Sequence, residues 1–463
     1  MEQLMRALRR LARSPAFKFF LISFLILLLL IPLFLVFGLV AEREGRARSV
    51  QNEVARVWGA AQQVAGPFLV VPYMVRLETV QGDRRVEQVQ ERRAVFLPEL
   101  LDIKAHVASR VLHRSIYEVV VYTAEVTMEG RFLAPDMADV GADATSVRWG
   151  DAIFALGLND VSGLKEAADL TLNGQRDLPF APSLGIPTAT QNGIHVRLAG
   201  AGEQVFGAAD TPPKAFAFRL RLVFGGSSSL DFAPVARDTR VAMTSDWPHP
   251  SFSGAFLPAE RSIAGTGFSA SWRVPHLARS VPHAWSLALA GIDRFRPHQF
   301  GVQLYQPVDF YNLVTRAAKY GVLFLAFAFM AVFVLELMSE RRVHPVQYLF
   351  VGLAMVFFYV LLLSIAEQTG FGIAYLIAAA ATSGMLSIYV GMALQSRMRA
   401  LAMFAALLVL YGLLYLILRL EDYALLAGAV LGFVALTTVM FVTLRVDWSG
   451  RDEVPPPRSR GEG

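Results

Sequence analysis

Residues 17–40 read FKFFLISFLILLLLIPLFLVFGLV, a continuous apolar run interrupted by one charged residue, Lys18. The hydrocarbon core of a bilayer is about 30 Å thick and needs roughly 20 apolar residues of helix, so this run predicts a membrane-spanning helix. It is longer than the apolar region of a signal peptide, and the residues that follow it contain no A-x-A cleavage site. We therefore interpret it as an uncleaved anchor.

Five further apolar runs occupy the C-terminal part of the chain. They are Tyr320–Met338, Val346–Ile365, Phe371–Leu394, Ala400–Leu418 and Tyr423–Leu444. The 463 residues are 54% hydrophobic and only 17% charged, which excludes a single soluble globule and a disordered chain. The predicted fold class is an α-helical integral membrane protein with six transmembrane helices and a large domain between helices 1 and 2.

The distribution of Lys and Arg predicts the orientation of these helices, because cytoplasmic loops carry an excess of both. Cations precede the first predicted helix and follow the second, fourth and sixth, whereas the alternate short loops are nearly free of them. The cations concerned are Arg6, Arg9, Arg10, Arg13, Lys18, Arg341, Arg342, Arg397, Arg399, Arg445, Arg451, Arg458 and Arg460. Both termini are therefore expected in the cytoplasm, with the large domain on the far side.

The chain divides by composition into four predicted segments. Residues 1–41 form the cytoplasmic N-terminus and anchor helix, 42–318 the exposed domain, 319–446 a five-helix bundle, and 447–463 a disordered cytoplasmic tail. The formal net charge of +5 sits mostly beside the apolar segments and does not indicate nucleic-acid binding. The absence of Cys excludes disulfides, thiolate metal sites and cysteine catalysis.

The exposed domain shows the period-2 alternation typical of half-buried strands. Between Phe216 and Phe224, apolar residues alternate with Ala, Arg and Val and stop at Gly225-Gly226. The stretch Ile116–Phe132 is rich in β-branched and aromatic residues and predicts a long strand or a bent pair. Shorter candidates separated by Gly, Pro and Asp clusters predict a sandwich or barrel. The domain is therefore expected to be mainly β.

The densest candidate for chemistry in this domain is the segment 246–254. Asp246, His249 and Ser251 are the residue types of a hydrolase site, if the fold brings them together. However, His249 lies between two prolines in an extended segment, where neighbouring side chains point to different faces. The structural alternative is a rigid loop between strands, pinned by aromatic residues. A separate possibility is a binding or functional loop made of Asp246, Trp247, His249, Pro250 and Phe252.

Ionisable residues inside a membrane are functional candidates by default. The candidates here are the ionisable residues Glu336, His344 and Glu367, together with the polar residue Gln347. Both acids lie near helix ends rather than at the midplane. A coupled transporter would place acids or broken helices deep in the bundle. Transport therefore remains an alternative that depends on Glu336 as its coupling group.

Small residues at helical spacing predict close contacts between helix backbones. Such spacing occurs on two of the predicted helices, at Ala380, Gly384, Ser387, Gly391, Gly428 and Gly432. Five of the eight His adjoin a Pro, but no pair has the i, i+4 spacing of a helical metal site. The sequence thus predicts no metal and no cofactor.

Several strings in both halves of the chain resemble the CreD family of inner-membrane proteins, also called cell envelope integrity proteins. In the domain they are Arg114–Val119, Val121–Ala124, Asp246–Phe252, Phe256–Pro258 and Gly267–Trp272. In the membrane part they are Gly301-Val302, Pro307–Tyr311, Arg316–Tyr320, His344–Tyr348, Val351–Ala354 and Phe358–Ser364 with Glu367. The match follows most of the chain in order, although Gln368 stands where many members have His.

The resemblance implies a Gram-negative, multi-pass inner-membrane protein whose exposed domain is periplasmic. It also implies a link to envelope integrity and to tolerance of colicins and β-lactams, with no established reaction, substrate or catalytic residue. The first hypothesis is therefore a non-enzymatic protein of the lipid bilayer whose domain binds an envelope protein or cell-wall component. A transporter or flippase of envelope material and a periplasmic hydrolase are the alternatives. The oligomeric state is left open.

Overall fold

The computed structural model describes residues 15–81, 84–141, 143–174, 178–186, 192–200, 211–288, 291–304, 310–339, 341–420 and 424–443. The predicted disordered tail at 447–463 and the Arg-rich N-terminus lie outside these residues. The chain folds as two compact units. One is built from the described parts of 1–46 and 308–463, and the other comprises residues 47–307.

The first unit is entirely helical. Its helices are α1 (Pro15–Trp58, which continues into the second unit), α2 (Phe310–Lys319), α3 (Gly321–Leu337), α4 (Pro345–Thr369), α5 (Phe371–Ala393), α6 (Arg397–Arg419) and α7 (Ala424–Thr443). Within the described residues, α1, α4, α5 and α6 are long and apolar enough to cross a membrane. The pair α2 and α3, bent by 50°, makes a fifth span if it counts as one.

The first helix is a full member of the bundle rather than a separate anchor. Its buried side chains, Leu25, Leu29, Leu33, Val36 and Val40, follow one helical face. A Cβ at Gly352 of α4 would lie 2.1 Å from Cδ1 of Leu29, and one at Gly321 of α3 would lie 3.1 Å from Leu33. Glycine at these two positions therefore lets α1 approach the other helices closely. The sequence predicted an anchor separate from a five-helix bundle, whereas in the described chain the anchor helix packs directly against α3 and α4.

The small-residue stripe on α5 is only partly a packing face. A Cβ at Gly391 would lie 2.5 Å from the Cβ of Ala400, and Ser387 is buried with its hydroxyl on the backbone oxygen of Ser383. Ala380, however, is exposed, and no described atom lies within 4 Å of a Cβ built at Gly384. The prediction was wrong for these two because α5 turns a different stripe inward, made of Ala374, Ala378, Thr382, Leu386 and Val390.

On α7, a Cβ built at Gly428 would lie 3.0 Å from Cε1 of Tyr320. No described atom lies within 4 Å of a Cβ built at Gly432. The predicted ridge therefore makes contact at Gly428 and not at Gly432 within the described part of the chain.

The second unit consists mainly of two β-sheets, which confirms the predicted mainly-β domain. The ten-stranded sheet follows the path β13 (Pro250–Gly254), β17 (Phe300–Leu304), β11 (Ser229–Phe232), β1 (Gln62–Gln81), β6 (Ile153–Leu158), β9 (Gly193–Arg197) and β8 (Ala181–Pro182). Beside this path, β2 (Arg84–Phe96) and β5 (Ala144–Val147) pair with β1, and β16 (Ala284–Ser286) pairs with β2.

The seven-stranded sheet has the order β14 (Glu260–Ala264), β15 (Gly267–Pro275), β12 (Asp238–Ser245), β3 (Leu100–Arg114), β4 (Tyr117–Phe132), β10 (Phe216–Ser227) and β7 (Asp169–Leu172). The alternation read at Phe216–Phe224 lies within β10, and Ile116–Phe132 contains a single long strand, β4. Neighbouring strands of this sheet are antiparallel except β12 and β3, which are parallel.

The core lies between the two sheets. Phe132 and Phe218 of the seven-stranded sheet contact Phe154 of the ten-stranded sheet, with ring centroids 6.2 Å and 5.5 Å apart. Trp272 and Phe300 make an equivalent contact at 5.7 Å. Rings from both inner faces thus interdigitate as in a β-sandwich.

The last turn of α1 is fixed to this sandwich. Nε1 of Trp58 donates to the backbone oxygen of Tyr122 at 2.9 Å, and the ammonium of Lys165 lies 4.6 Å from the Trp58 ring centroid. A Cβ at Gly225 would lie 2.5 Å from the backbone oxygen of Trp58, so the strand passes this turn at a distance that only glycine permits.

Candidate functional site

The segment 246–254 connects the two sheets. Asp246 follows β12 at the end of one sheet, and Pro250 begins β13 at the edge of the other. Oδ1 of Asp246 accepts a hydrogen bond from the backbone N–H of Ser109 at 2.8 Å. The exposed carboxylate of Asp246 therefore serves to hold β12 against β3.

The structure does not bring Asp246, His249 and Ser251 together as a catalytic set. His249 is exposed, and its ring lies edge-on to the ring of Trp247, at 6.3 Å between centroids. Ser251 is exposed on β13, whose backbone pairs with β17. A nucleophile must lie within hydrogen-bond reach of its base, and no hydrogen bond joins these three residues in the described chain.

Aromatic side chains from the same segment are anchored on the core. Phe252 packs edge-on against Phe268 at 5.7 Å and against Trp272 at 5.9 Å, and Phe256 does the same against Phe300 at 5.9 Å. Phe252 and Phe256 remain half-exposed, because both belong to edge elements of the sandwich. The aromatic side chains of this segment thus pack on the core, while its residues from Pro250 to Gly254 form a strand.

An exposed leucine lies next to these aromatic side chains in the sequence. Leu257, which lies between β13 and β14, keeps 69% of its surface in solvent. We name the surface formed by Trp247, His249, Phe252, Phe256 and Leu257 the aromatic loop surface. Sequence reasoning missed Phe256 and Leu257 as members, although both stand in the Phe256–Pro258 string that resembles the family.

A second cluster of polar groups lies inside the sandwich. The hydroxyl of Tyr122 donates to the backbone oxygen of Ser229 at 2.6 Å, and the hydroxyl of Ser229 donates to Oδ2 of Asp231 at 3.1 Å. Burial raises the pKa of the Asp231 carboxyl, against a smaller lowering effect of the Ser229 hydrogen bond. Burial, followed by the nearby charge of Asp231, raises the pKa of Tyr122. This cluster was not found from the sequence.

In the helical unit, Glu336 is fully engaged. Its carboxylate accepts from the ammonium of Lys18, from the hydroxyl of Tyr348 at 2.9 Å and from the backbone N–H of Val343 at 3.0 Å. Lys18 of α1 supplies the positive charge that neutralises this carboxylate. A carboxylate with three donors, one of which is a cation, has the environment of a structural ion pair.

His344 and Gln347 act locally at the start of α4. Nδ1 of His344 accepts from the N–H of Val346 at 3.3 Å, while Oε1 of Gln347 accepts from the backbone N–H of His344 at 2.8 Å. The two side chains form a capping box, with Pro345 in the first turn. Their arrangement satisfies helix N–H groups and leaves no need for a coupling role.

Glu367 lies near the C-terminal end of α4 and binds Arg43 of α1. Nε of Arg43 donates to Oε1 at 2.6 Å and Nη2 to Oε2 at 2.5 Å, while the hydroxyl of Tyr311 donates to Oε1 at 3.2 Å. Glu336 and Glu367 therefore tie α1 to the other helices near opposite ends of the bundle. Lys18, Arg43 and Tyr311 were not recognised as their partners from the sequence.

In the part of the chain that the structure describes, no cluster of three His, Asp or Glu side chains is placed to hold a metal ion. The observed arrangements thus comprise an exposed aromatic surface on the sandwich and two ion pairs in the helical unit.

Comparison with known proteins gives the family. A family model described as "Inner membrane protein CreD" matches residues 14–449. The chain belongs to the CreD family. It is similar to the inner membrane protein CreD of Escherichia coli strain K12, with 32% identity over 425 residues that cover 91% of each chain. The resemblance stated from the residues is thereby confirmed, and the name of this relative indicates no catalytic activity.

Proposed function

We propose that the protein supports cell-envelope integrity by binding an envelope protein or cell-wall component through its β-sandwich domain. The aromatic loop surface is the observation that carries this proposal. It combines ring anchors packed on the core with the exposed side chains of His249 and Leu257. Rigid aromatic anchors beside exposed apolar side chains are typical of binding surfaces, because their ordering costs little entropy.

The proposal includes a topology. Six spans with both termini in the cytoplasm would place the β-sandwich in the periplasm of an inner-membrane protein. Membership of the CreD family, the four apolar helices and one bent pair of the described chain, and the distribution of Lys and Arg support this placement. The absence of native Cys makes the test simple.

Single Cys variants provide that test. Leu257→Cys on the domain and Thr369→Cys at the C-terminal end of α4 should react with a membrane-impermeant maleimide in cells with a permeabilised outer membrane. Gln395→Cys between α5 and α6 should react only after the inner membrane is opened. Labelling of Gln395→Cys in intact spheroplasts would contradict the topology.

The binding role is tested by changing the surface without changing its anchors. A Leu257→Asp, His249→Ala double variant should fail to restore detergent and β-lactam tolerance to a strain that lacks the gene. Leu277→Asp is the matched control, since Leu277 is 86% exposed and lies on a different turn. Normal membrane abundance of both variants must be verified by blotting. Full rescue by the double variant would overturn the role of this surface.

Crosslinking identifies the occupant. A photoreactive amino acid at position 257 should capture a specific envelope component, whereas the same group at position 277 should not. Capture of identical species from both positions would contradict a specific partner at the aromatic loop surface.

A further inference from the structure

A small polar pocket lies at one end of the ten-stranded sheet. It forms where β1 begins, β6 ends and β9 begins, beside the 3-10 segment Ile292–His298. Its volume is about 100 Å³. At about 10–15 Å³ for each water-sized group, this is room for roughly seven to ten such groups. The pocket thus has room for the acetamido group and part of the ring of one sugar, with the rest of the sugar outside it.

Four side-chain amides face this pocket, and two of them are held in place. Nδ2 of Asn159 donates to the backbone oxygen of Ala61 at 2.9 Å, and Nδ2 of Asn192 donates to the backbone oxygen of Asn159 at 3.2 Å. Each amide therefore keeps its Oδ1 acceptor available. The other two amides belong to Gln63 and Gln299.

The remaining polar lining has no internal partner. Within the described residues, the side chains of Gln63, Gln299, Asp293 and Arg296 make no hydrogen bond or ion pair. Asp293 and Arg296 are three residues apart in the same 3-10 segment and do not pair with each other. The pocket thus presents unengaged donors and acceptors together with one negative and one positive group.

This lining selects among ligand classes. A phosphate or nucleotide site needs an excess of cationic donors, and here the two charges balance. Alternating amide donors and acceptors match a neutral ligand rich in hydroxyl groups, and an acetamido group offers the same N–H and C=O pair as the side-chain amides. Phe295 lines the pocket as well, but its ring is 1% exposed, so the surface that a ligand meets is chiefly polar.

We propose that this pocket binds one N-acetylated hexose unit of an envelope glycan. The inference rests on the proposed function, since it names the ligand class of the same domain. The backbone oxygen of Gln299 accepts from the N–H of Ala255 at 2.8 Å. One residue therefore joins the pocket to the loop that carries Phe256 and Leu257, and a glycan held in the pocket lies beside the aromatic loop surface.

The test is titration calorimetry on the full-length protein in phosphatidylcholine nanodiscs. Nanodiscs are required because detergents with sugar headgroups would compete for the pocket. The probe is the soluble trisaccharide of N-acetylglucosamine, with glucose 6-phosphate as the charged comparison. The expected result is saturable binding of the trisaccharide and weaker binding of the phosphorylated sugar.

Matched variants assign the binding to the pocket. Gln299→Ala and Asp293→Ala should each weaken trisaccharide binding about tenfold, as expected for the loss of one or two hydrogen bonds to a ligand. Gln303→Ala is the control, because Gln303 is exposed on the neighbouring strand β17 and lies outside the pocket. Thermal unfolding followed by tryptophan fluorescence should be unchanged in all three variants.

Three outcomes would overturn the inference. They are no saturable binding of the trisaccharide, equal affinity in wild type and both pocket variants, and preference for the phosphorylated sugar. These results are distinguishable from failure of the proposed function, because binding is measured in vitro and tolerance is measured in cells. The Leu257→Asp, His249→Ala variant could fail to restore tolerance while the wild-type protein binds no trisaccharide. In that case the proposed binding of a partner would stand and the proposed binding of a sugar would be refuted.

Discussion

Arg43 of α1 and Glu367 of α4 are joined by two parallel hydrogen bonds, Nε to Oε1 at 2.6 Å and Nη2 to Oε2 at 2.5 Å. The side chain of Glu367 is 8% exposed and that of Arg43 is 27% exposed. A bidentate pair in such a site fixes the relative orientation of two helices through residues that are 324 positions apart in the sequence.

Removing one partner of this pair should destabilise the helical unit. We expect Arg43→Ala to lower the free energy of unfolding by on the order of 2–3 kcal/mol, because a largely buried carboxylate loses its cation. Denaturation by SDS in mixed micelles measures this change. Arg43→Lys should be intermediate, since an ammonium cannot form both hydrogen bonds.

A double-mutant cycle separates the pair from the two side chains. Arg43→Ala together with Glu367→Ala should cost less than the sum of the two single changes. Strict additivity of the three values would show that the pair does not couple α1 to α4.

The pair of Lys18 and Glu336 gives a prediction that also tests transport. Glu336→Gln alone leaves the Lys18 ammonium uncompensated and should lower stability. Lys18→Met with Glu336→Gln removes both charges, while the Gln oxygen can still accept from Tyr348 and Val343. We expect this double variant to be nearly as stable as wild type and to restore envelope tolerance fully.

The contrary result is informative. Loss of tolerance in Lys18→Met, Glu336→Gln at wild-type stability and abundance would show that the charge itself acts, as a coupling group of a transporter does. Unfolding of the helical unit in the micelle should be followed by far-UV circular dichroism.

The sequence predicts the helices and strands well because both depend on local periodicity. The apolar run from Phe17 to Val40 and the alternation from Phe216 to Phe224 are visible within a short window. The partners of Glu336 were not predictable in this way, since Lys18 is 318 positions away. Ala380 and Gly384 show a related limit, because a small-residue stripe does not reveal whether lipid or a helix lies opposite. The sugar pocket draws its amides from four separate segments, so no motif marks it.

The approach of Gly225 to Trp58 predicts a strong steric effect. An Ala at position 225 would place its Cβ 2.5 Å from the backbone oxygen of Trp58. We expect Gly225→Ala to destabilise the sandwich by about 1–3 kcal/mol, because the strand and the last turn of α1 must separate. Urea unfolding followed by tryptophan fluorescence measures this loss.

Gly265→Ala is the matched control for that experiment. Gly265 belongs to the same domain, and no described atom lies within 4 Å of a Cβ at this position. Its substitution should be neutral or stabilise by up to about 1 kcal/mol through the entropy of the unfolded chain. Equal destabilisation by both substitutions would show that the close approach at Trp58 has no special effect.

The partly buried carboxyl of Asp231 predicts a pH dependence of stability. Its pKa in the folded protein is raised by burial above the ordinary value of 3.8. The folded state then holds the proton more tightly than the unfolded state. The favourable contribution is complete below pH 3.8 and is lost as pH rises through the folded pKa, at a slope of at most about 1.4 kcal/mol per pH unit.

Asp231→Asn should therefore raise the thermal unfolding temperature near pH 7.5, with a gain that shrinks as pH falls toward 4. Asn can still accept from the Ser229 hydroxyl, so the change removes the charge and keeps the contact. Asp238→Asn is the control, and its expected effect on stability has the opposite sign. Burial raises the pKa of Asp238, but the hydrogen bonds from Arg273 and Arg240 outweigh burial and lower it. That variant should be destabilised throughout pH 4–8. A pH-independent gain for Asp231→Asn would show that its charge is not buried in the folded domain.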